Sequence, residues 1–133
     1  MMSREVLKQH SLRVTSHRCE VLDCFRQSDK ALTFAHLEKK FKNKIDRVSL
    51  YRMLYSFSEK NILYKIFDSK KEINYIFNHH LKKYTHHSYF KCKLCNNIIR
   101  LPLEYINSLK QYINVEELNI LAEGTCNVCT KKE

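Results

Sequence analysis

Apolar positions along this chain follow two different spacings. Through residues 3–60 they recur at the three- and four-residue intervals of amphipathic helices. A short first helix is predicted over residues 4–10. Thr15 offers an N-cap for a second, in which Val21, Leu22 and Phe25 share a face. Thr33 offers the cap of a third, carrying Phe34, Leu37 and Phe41 until FKNKID breaks the pattern at Asn43. Asp46 caps a fourth, DRVSLYRMLYSFSEKN, whose Leu50, Leu54 and Phe57 should point inward. Arg47, Val48, Tyr51, Arg52 and Tyr55 are left on its outer faces, and Asn61 fits a left-handed stop. Two β-like runs follow, ILYKIF (62–67) and EINYIF (72–77), joined by the polar turn DSKK. Helices closed by a β-hairpin predict a winged helix-turn-helix over residues 1–78.

The second half reads differently. Residues 78–88, NHHLKKYTHHS, are polar and hold four of the seven histidines, so 79–88 is expected to be a linker. From Tyr89 the segments FKC and NIIRL flank a Cys-x2-Cys clip as a hairpin. Pro102 then suits the start of a helix with Tyr105, Ile106, Leu109, Tyr112 and Ile113 on one side. A last strand is expected over 118–122, running toward a second clip, TCNVCT. The class expected is therefore α+β, with a winged helix-turn-helix followed by a small α/β domain over 89–133.

Cys92 and Cys95 with Cys126 and Cys129 supply four sulfur ligands in two short clips, matching a tetrahedral zinc site with thiolates about 2.3 Å from the metal. The 30 residues between Cys95 and Cys126 exceed the loop of a simple zinc ribbon, but a helix and a returning strand fill that gap. Four thiolates close the coordination sphere. A hydrolytic zinc would need an open position and a carboxylate base, so the metal is read as structural and the chain as a non-enzyme. A thioredoxin-type redox motif would need a βαβ setting that KCKLCNN lacks, and would leave the second clip unexplained. Cys19 and Cys24 lie about 140° apart around one helix and cannot pair across it; they read as small core residues.

The remaining totals sharpen the choice of partner. At 133 residues and 44% apolar content the chain can bury a core. Its formal charge is +10, which one Zn²⁺ with four thiolates would lower by about two. Residues 1–80 hold 16 of the 24 Lys and Arg against nine acids, so the helical half is the better candidate for a polyanion. No run resembles a signal peptide or a membrane span, and a cytoplasmic location is expected, where thiols stay reduced and available to metal.

Taken in order, these residues resemble the ferric uptake regulator family, including its zinc uptake and peroxide-sensing branches. LRVTSHR is similar to the family's opening motif, with His17 in place of its usual proline. RVSLYRML is similar to its recognition-helix motif, and HHSYFKCKLC followed by GTCNVC to its His-rich segment and paired clips. The resemblance implies a homodimeric repressor that reads operator DNA through N-terminal winged helices and dimerises through its C-terminal domain. It implies that Tyr51 and Arg52 enter the major groove, that Arg13 probes the minor groove or backbone, and that Arg18 lies near phosphates. Arg47 and Ser49 are further candidates for DNA contact on the same helix.

The family's sensing metal site is where this chain departs. Its ligand positions correspond here to Ala31, Ile76 or Asn78, Ser88, Tyr89, Asn107 and Leu118, leaving His86 and His87. A degenerate sensor is therefore expected. His79 and His80 could join His86 and His87 in a rebuilt second site, which would make the chain a metal-responsive zinc or iron uptake repressor. A different class remains open: zinc ribbons also serve in RNA binding and protein assembly, although the recognition-helix motif favours duplex DNA.

Overall fold

The computed structural model describes residues 2–79, 86–101 and 118–132. The chain divides into two compact units, Met1–Lys82 and Lys83–Glu133.

The first unit runs α1 (Ser3–Gln9), α2 (Ser16–Arg26), β1 (Leu32–Thr33), α3 (Phe34–Lys40), α4 (Arg47–Glu59), β2 (Leu63–Phe67) and β3 (Ile73–Phe77). The three predicted caps form: the side chains of Thr15, Thr33 and Asp46 accept from the amides of Arg18, His36 and Ser49 at 3.2, 3.2 and 3.0 Å. Each satisfies one of the amides that a helix start leaves without an intrahelical partner. α1, α3 and α4 end where the backbone turns left-handed, and with one glycine in the chain that conformation falls to other residues. Asn43 (φ 72°) follows α3 and Asn61 (φ 61°) follows α4; asparagine tolerates the region better than most side chains.

Leu50, Leu54 and Phe57 on α4 are fully buried, together with Val21 and Leu22 of α2 and Leu37 of α3. Val6, Leu7, Phe25, Phe41, Ile62, Leu63, Tyr75 and Phe77 belong to the same core, and Cys19 and Cys24 pack half-buried against it. Phe34 is partly buried and packs against this core, its ring 6.2 Å from that of Tyr51 on α4 in an edge-on arrangement.

β2 and β3 pair antiparallel, Leu63 opposite Phe77 through Phe67 opposite Ile73. The buried carboxylate of Asp68 holds the DSKK turn by accepting from the amides of Lys70 and Glu72, both at 2.9 Å, while Lys71 takes φ 62°. A strand not foreseen, β1, joins the free edge of β3 through Leu32 and Thr33, giving the order β1-β3-β2. Two residues carry no alternation to read, so only tertiary pairing reveals it.

The second unit contains β4 (His86–Cys92), β5 (Ile98–Arg100), β6 (Leu118–Gly124) and a short helix α5 (Asn127–Lys132). The hairpin forms, with Tyr89 opposite Arg100 and Lys91 opposite Ile98. β6 lies on the other side of β4 and runs parallel to it, from His86 opposite Leu118 to Cys92 opposite Gly124. His86, His87 and Ser88 therefore belong to a strand, although their polarity marks them as linker. β6 also continues two residues past 122. The helix expected after Pro102, with Tyr105, Ile106, Asn107, Leu109, Tyr112 and Ile113, lies outside the described residues. None of the described helices is long and apolar enough to cross a membrane.

Because Leu54 is fully buried where α4 meets the core, Leu54→Ala should destabilise the first unit by about 2–5 kcal/mol. Urea denaturation followed by circular dichroism checks this, and zinc content in native buffer should stay at the wild-type level.

Candidate metal centre and nucleic-acid interface

Parallel pairing of β4 and β6 brings both clips to one end of the sheet. Cys92 closes β4, and the amide of Lys93 donates to the carbonyl of Gly124 at 2.8 Å, fastening the two strand ends together. The first clip turns back through Asn96 (φ 63°), whose amide donates to the Cys92 carbonyl at 2.9 Å. Gly124 faces the Phe90 ring, and a Cβ there would stand 3.4 Å from it. Cys126 follows, and α5 carries Cys129 back toward the other sulfurs.

The four ligand sulfurs all lie within 4.8 Å of one another, and Cys95 Sγ is 3.9 Å from Cys126 Sγ. A tetrahedron with 2.3 Å metal–sulfur bonds has edges of about 3.8 Å, so the cluster fits zinc in both donor type and size. Amides also aim at the sulfurs: those of Cys95 and Cys126 donate to Cys92 Sγ at 3.5 and 3.4 Å, and that of Cys129 to Cys126 Sγ at 3.5 Å. The Cys95 and Cys126 amides draw the Cys92 thiol down to about 6. Cys129 is pushed up to about 12, first by its hydrogen bond with Cys126 and then by burial. One sulfur is thus pre-ionised, and the last proton is held against sulfurs already crowded together. A divalent cation reverses that repulsion. With four thiolates and no open position the site suits structural zinc.

In the first unit, α4 presents its outer face to solvent. Val48 and Tyr51 are each 58% exposed and Tyr55 is 53% exposed, while Arg52 is also exposed. The six candidate DNA contacts separate by their surroundings. Arg47 is held loosely within the fold, its Nε 3.4 Å from Glu38 Oε2 and its guanidinium 5.5 Å from the centre of the Phe34 ring. Exposed pairs of this kind contribute little. Ser49 is engaged with Asp46, whose carboxyl is lowered first by the Ser49 side chain and then by its amide. Arg13, Arg18, Ser49 and Arg52 line one recess of about 300 Å³ together with Thr15 and Met53. Across α4, Phe34, Val48, Tyr51, Ile73 and Tyr75 line a second, more apolar recess of about 540 Å³. Lys65 on β2 reaches over the Tyr55 ring at 5.7 Å. Neither that cation nor the partners of Arg47 could be read from the motif alone, because both depend on which strands and helices pack beside α4.

A family model described as the ferric uptake regulator family matches residues 9–123. The chain belongs to this family. Membership places it among transcriptional regulators, not enzymes. A ferric uptake regulation protein of Staphylococcus epidermidis is 27% identical, covering 96% of this chain and 94% of its own length. Solved structures share the fold. The Vibrio cholerae ferric uptake regulator is 20% identical with a TM-score of 0.72, covering 92% of this chain and 98% of its own. A zinc-bound manganese uptake regulator is 15% identical at 0.74, covering 95% and 99%. A zinc uptake regulator complexed with zinc and DNA is 22% identical at 0.67, covering 96% and 90%.

The positions expected to match the family's sensing ligands, and the histidines expected beside them, have the following surroundings. Ala31 has no donor atom, and Ile76 is buried in the first unit. His87 is buried in β4, its Nδ1 3.3 Å from the hydroxyl of Tyr89 and its ring stacked over the tyrosine. His79 is exposed, with its ring 4.9 Å from that of Phe77. His80 and the His86 side chain lie outside the described residues. Among the described residues, the four cysteines are the one group of three or more potential ligands gathered closely enough for a metal.

Proposed function

We propose that this family member is a cytoplasmic, homodimeric repressor that reads operator DNA with α4. In this reading residues 1–78 form the DNA-binding domain and the dimerisation domain follows the linker from β4 onward, beginning at His86 rather than at Tyr89. The supporting observation is α4 itself. Its inner side chains, Leu50, Leu54 and Phe57, are completely buried, while Val48, Tyr51, Arg52 and Tyr55 stand outward. A helix of this kind can enter a major groove without disturbing the core behind it. Tyr51 meets base edges and thymine methyls, Arg52 reaches a base or phosphate, and Arg13 and Arg18 meet the backbone. Arg47 joins them after leaving Glu38. That a zinc uptake regulator with the same fold has been seen complexed with zinc and DNA supports the choice of partner.

One zinc per chain, held by Cys92, Cys95, Cys126 and Cys129, would hold the dimerisation domain folded and so fix the separation of two reading helices. Operator half-sites then lie roughly one helical turn apart. With Ala31, Ser88 and Tyr89 at sensing positions, repression does not answer to a second metal.

Tyr51→Ala should weaken binding to a selected duplex by about 1–3 kcal/mol with the salt dependence unchanged, whereas Arg18→Ala should reduce the salt slope by about one. Full affinity in both variants would remove α4 and its flank from the interface. Cys92→Ser should lower zinc content, dimer fraction and DNA affinity together, and a metal-free dimer with wild-type DNA affinity would refute the zinc's role. Adding Fe²⁺, Mn²⁺ or extra Zn²⁺ to protein holding one zinc per chain should change DNA affinity less than tenfold. A larger rise would favour the metal-responsive alternative built on His79, His80, His86 and His87.

A further inference from the structure

The four cysteines of the second unit are alike as donors but not in their surroundings. Cys92 is 1% exposed at the end of β4 and Cys129 is 9% exposed on α5, whereas Cys126 is half-buried and Cys95 is exposed. Cys95 also belongs to a run, Lys93 to Asn96, that is exposed throughout. Hydrogen bonding divides the set again. Cys92 Sγ receives the amides of Cys95 and Cys126, and Cys126 Sγ receives that of Cys129. Among the described residues no amide donates to the sulfur of Cys95 or of Cys129, and of these two only Cys95 is open to solvent.

An amide that donates to a thiolate stabilises its charge and fixes its direction, while burial keeps competing ligands away. Cys92 is held in both ways and is the fixed member of the set. Cys95 is held in neither, and its sulfur stands with Cys126 Sγ, 3.9 Å away, along the edge of the cluster that another donor can reach. The backbone does not need Cys95 on the metal. The Lys93 amide, 2.8 Å from the Gly124 carbonyl, keeps the ends of β4 and β6 together, and the Asn96 amide, 2.9 Å from the Cys92 carbonyl, keeps the turn closed. Moving this sulfur therefore calls for rotation of one exposed side chain, not for opening of the sheet.

We propose that Cys95 is the exchangeable ligand of this centre, the one that gives way to a small free thiol when zinc is delivered or withdrawn. The step is a ligand exchange without oxidation. The bond from Cys95 Sγ to the metal breaks as a bond from the incoming sulfur forms, and the proton given up by the incoming thiol passes to Cys95. A thiol suits the step better than a carboxylate because one soft thiolate then replaces another. Cys92, Cys126 and Cys129 stay in place and keep the two clips joined through the exchange. The inference rests on the zinc reading of the cluster and is independent of DNA binding.

Two measurements on the full, reduced, zinc-loaded chain test it, and neither needs a variant that could fail to fold. N-ethylmaleimide added below one equivalent should label Cys95 ahead of Cys92, Cys126 and Cys129, as read by peptide mass spectrometry. Equal or greater labelling at any of the other three would overturn the assignment of Cys95. Transfer of zinc to the coloured chelator pyridylazoresorcinol follows the exchange itself. Its rate should rise severalfold with added glutathione and less with S-methylglutathione, which carries the same charges without a free thiol. A rate that glutathione leaves unchanged, or that both peptides raise equally, would overturn entry of a thiol. A reduced chain that takes up no zinc would instead remove the zinc reading beneath the proposal.

Discussion

Parallel pairing between β4 and β6 is the constraint on which the metal centre depends. Parallel neighbours end on the same side of a sheet, so a clip after each strand brings its sulfurs to the same place. The register carries Cys92 opposite Gly124, and the Lys93 amide closes the seam. Had β6 run antiparallel, the second clip would have emerged at the far end of a seven-residue strand. The geometry also shares ionisation unevenly: amides from both clips converge on Cys92, while Cys129 retains its proton longest.

The first unit solves a different problem, that of presenting one helix face without weakening the core behind it. Its caps, left-handed stops and fully buried leucines hold α4 in place, so the outward residues are free of structural duty. Phe34 links the two sides of this arrangement, leaning on Tyr51 and lying under Arg47. Electrostatics then separates the candidates, with Arg47 paired, Ser49 committed to a cap, and Arg13, Arg18 and Arg52 facing a recess that contains no acid.

Much of this was legible in the sequence because its signals are local. A cap residue followed by helical periodicity located α2, α3 and α4, and cysteine spacing located both clips. What escaped is set by partners distant along the chain. β1 exists only because β3 offers an edge, and His86 to Ser88 are extended only because β6 pairs with them despite their polar character. α5 is six residues long and follows a glycine, too short for a periodicity to be read. The contacts of Phe34 escaped for a similar reason: its place on α3 was legible, but the Tyr51 and Arg47 beside its ring come from α4. The recess on the other flank of α4 gathers residues from 13 to 53, and no local motif spans that distance.

The sulfur cage also closes a large ring of chain, since Cys92 and Cys126 are separated by 34 positions. Joining such distant points restricts the unfolded polymer much as a covalent staple does. Unlike a disulfide, this cross-link survives thiol reductants and yields to chelators. The durability of the second unit is therefore governed by the free zinc level of its surroundings wherever its thiols stay reduced.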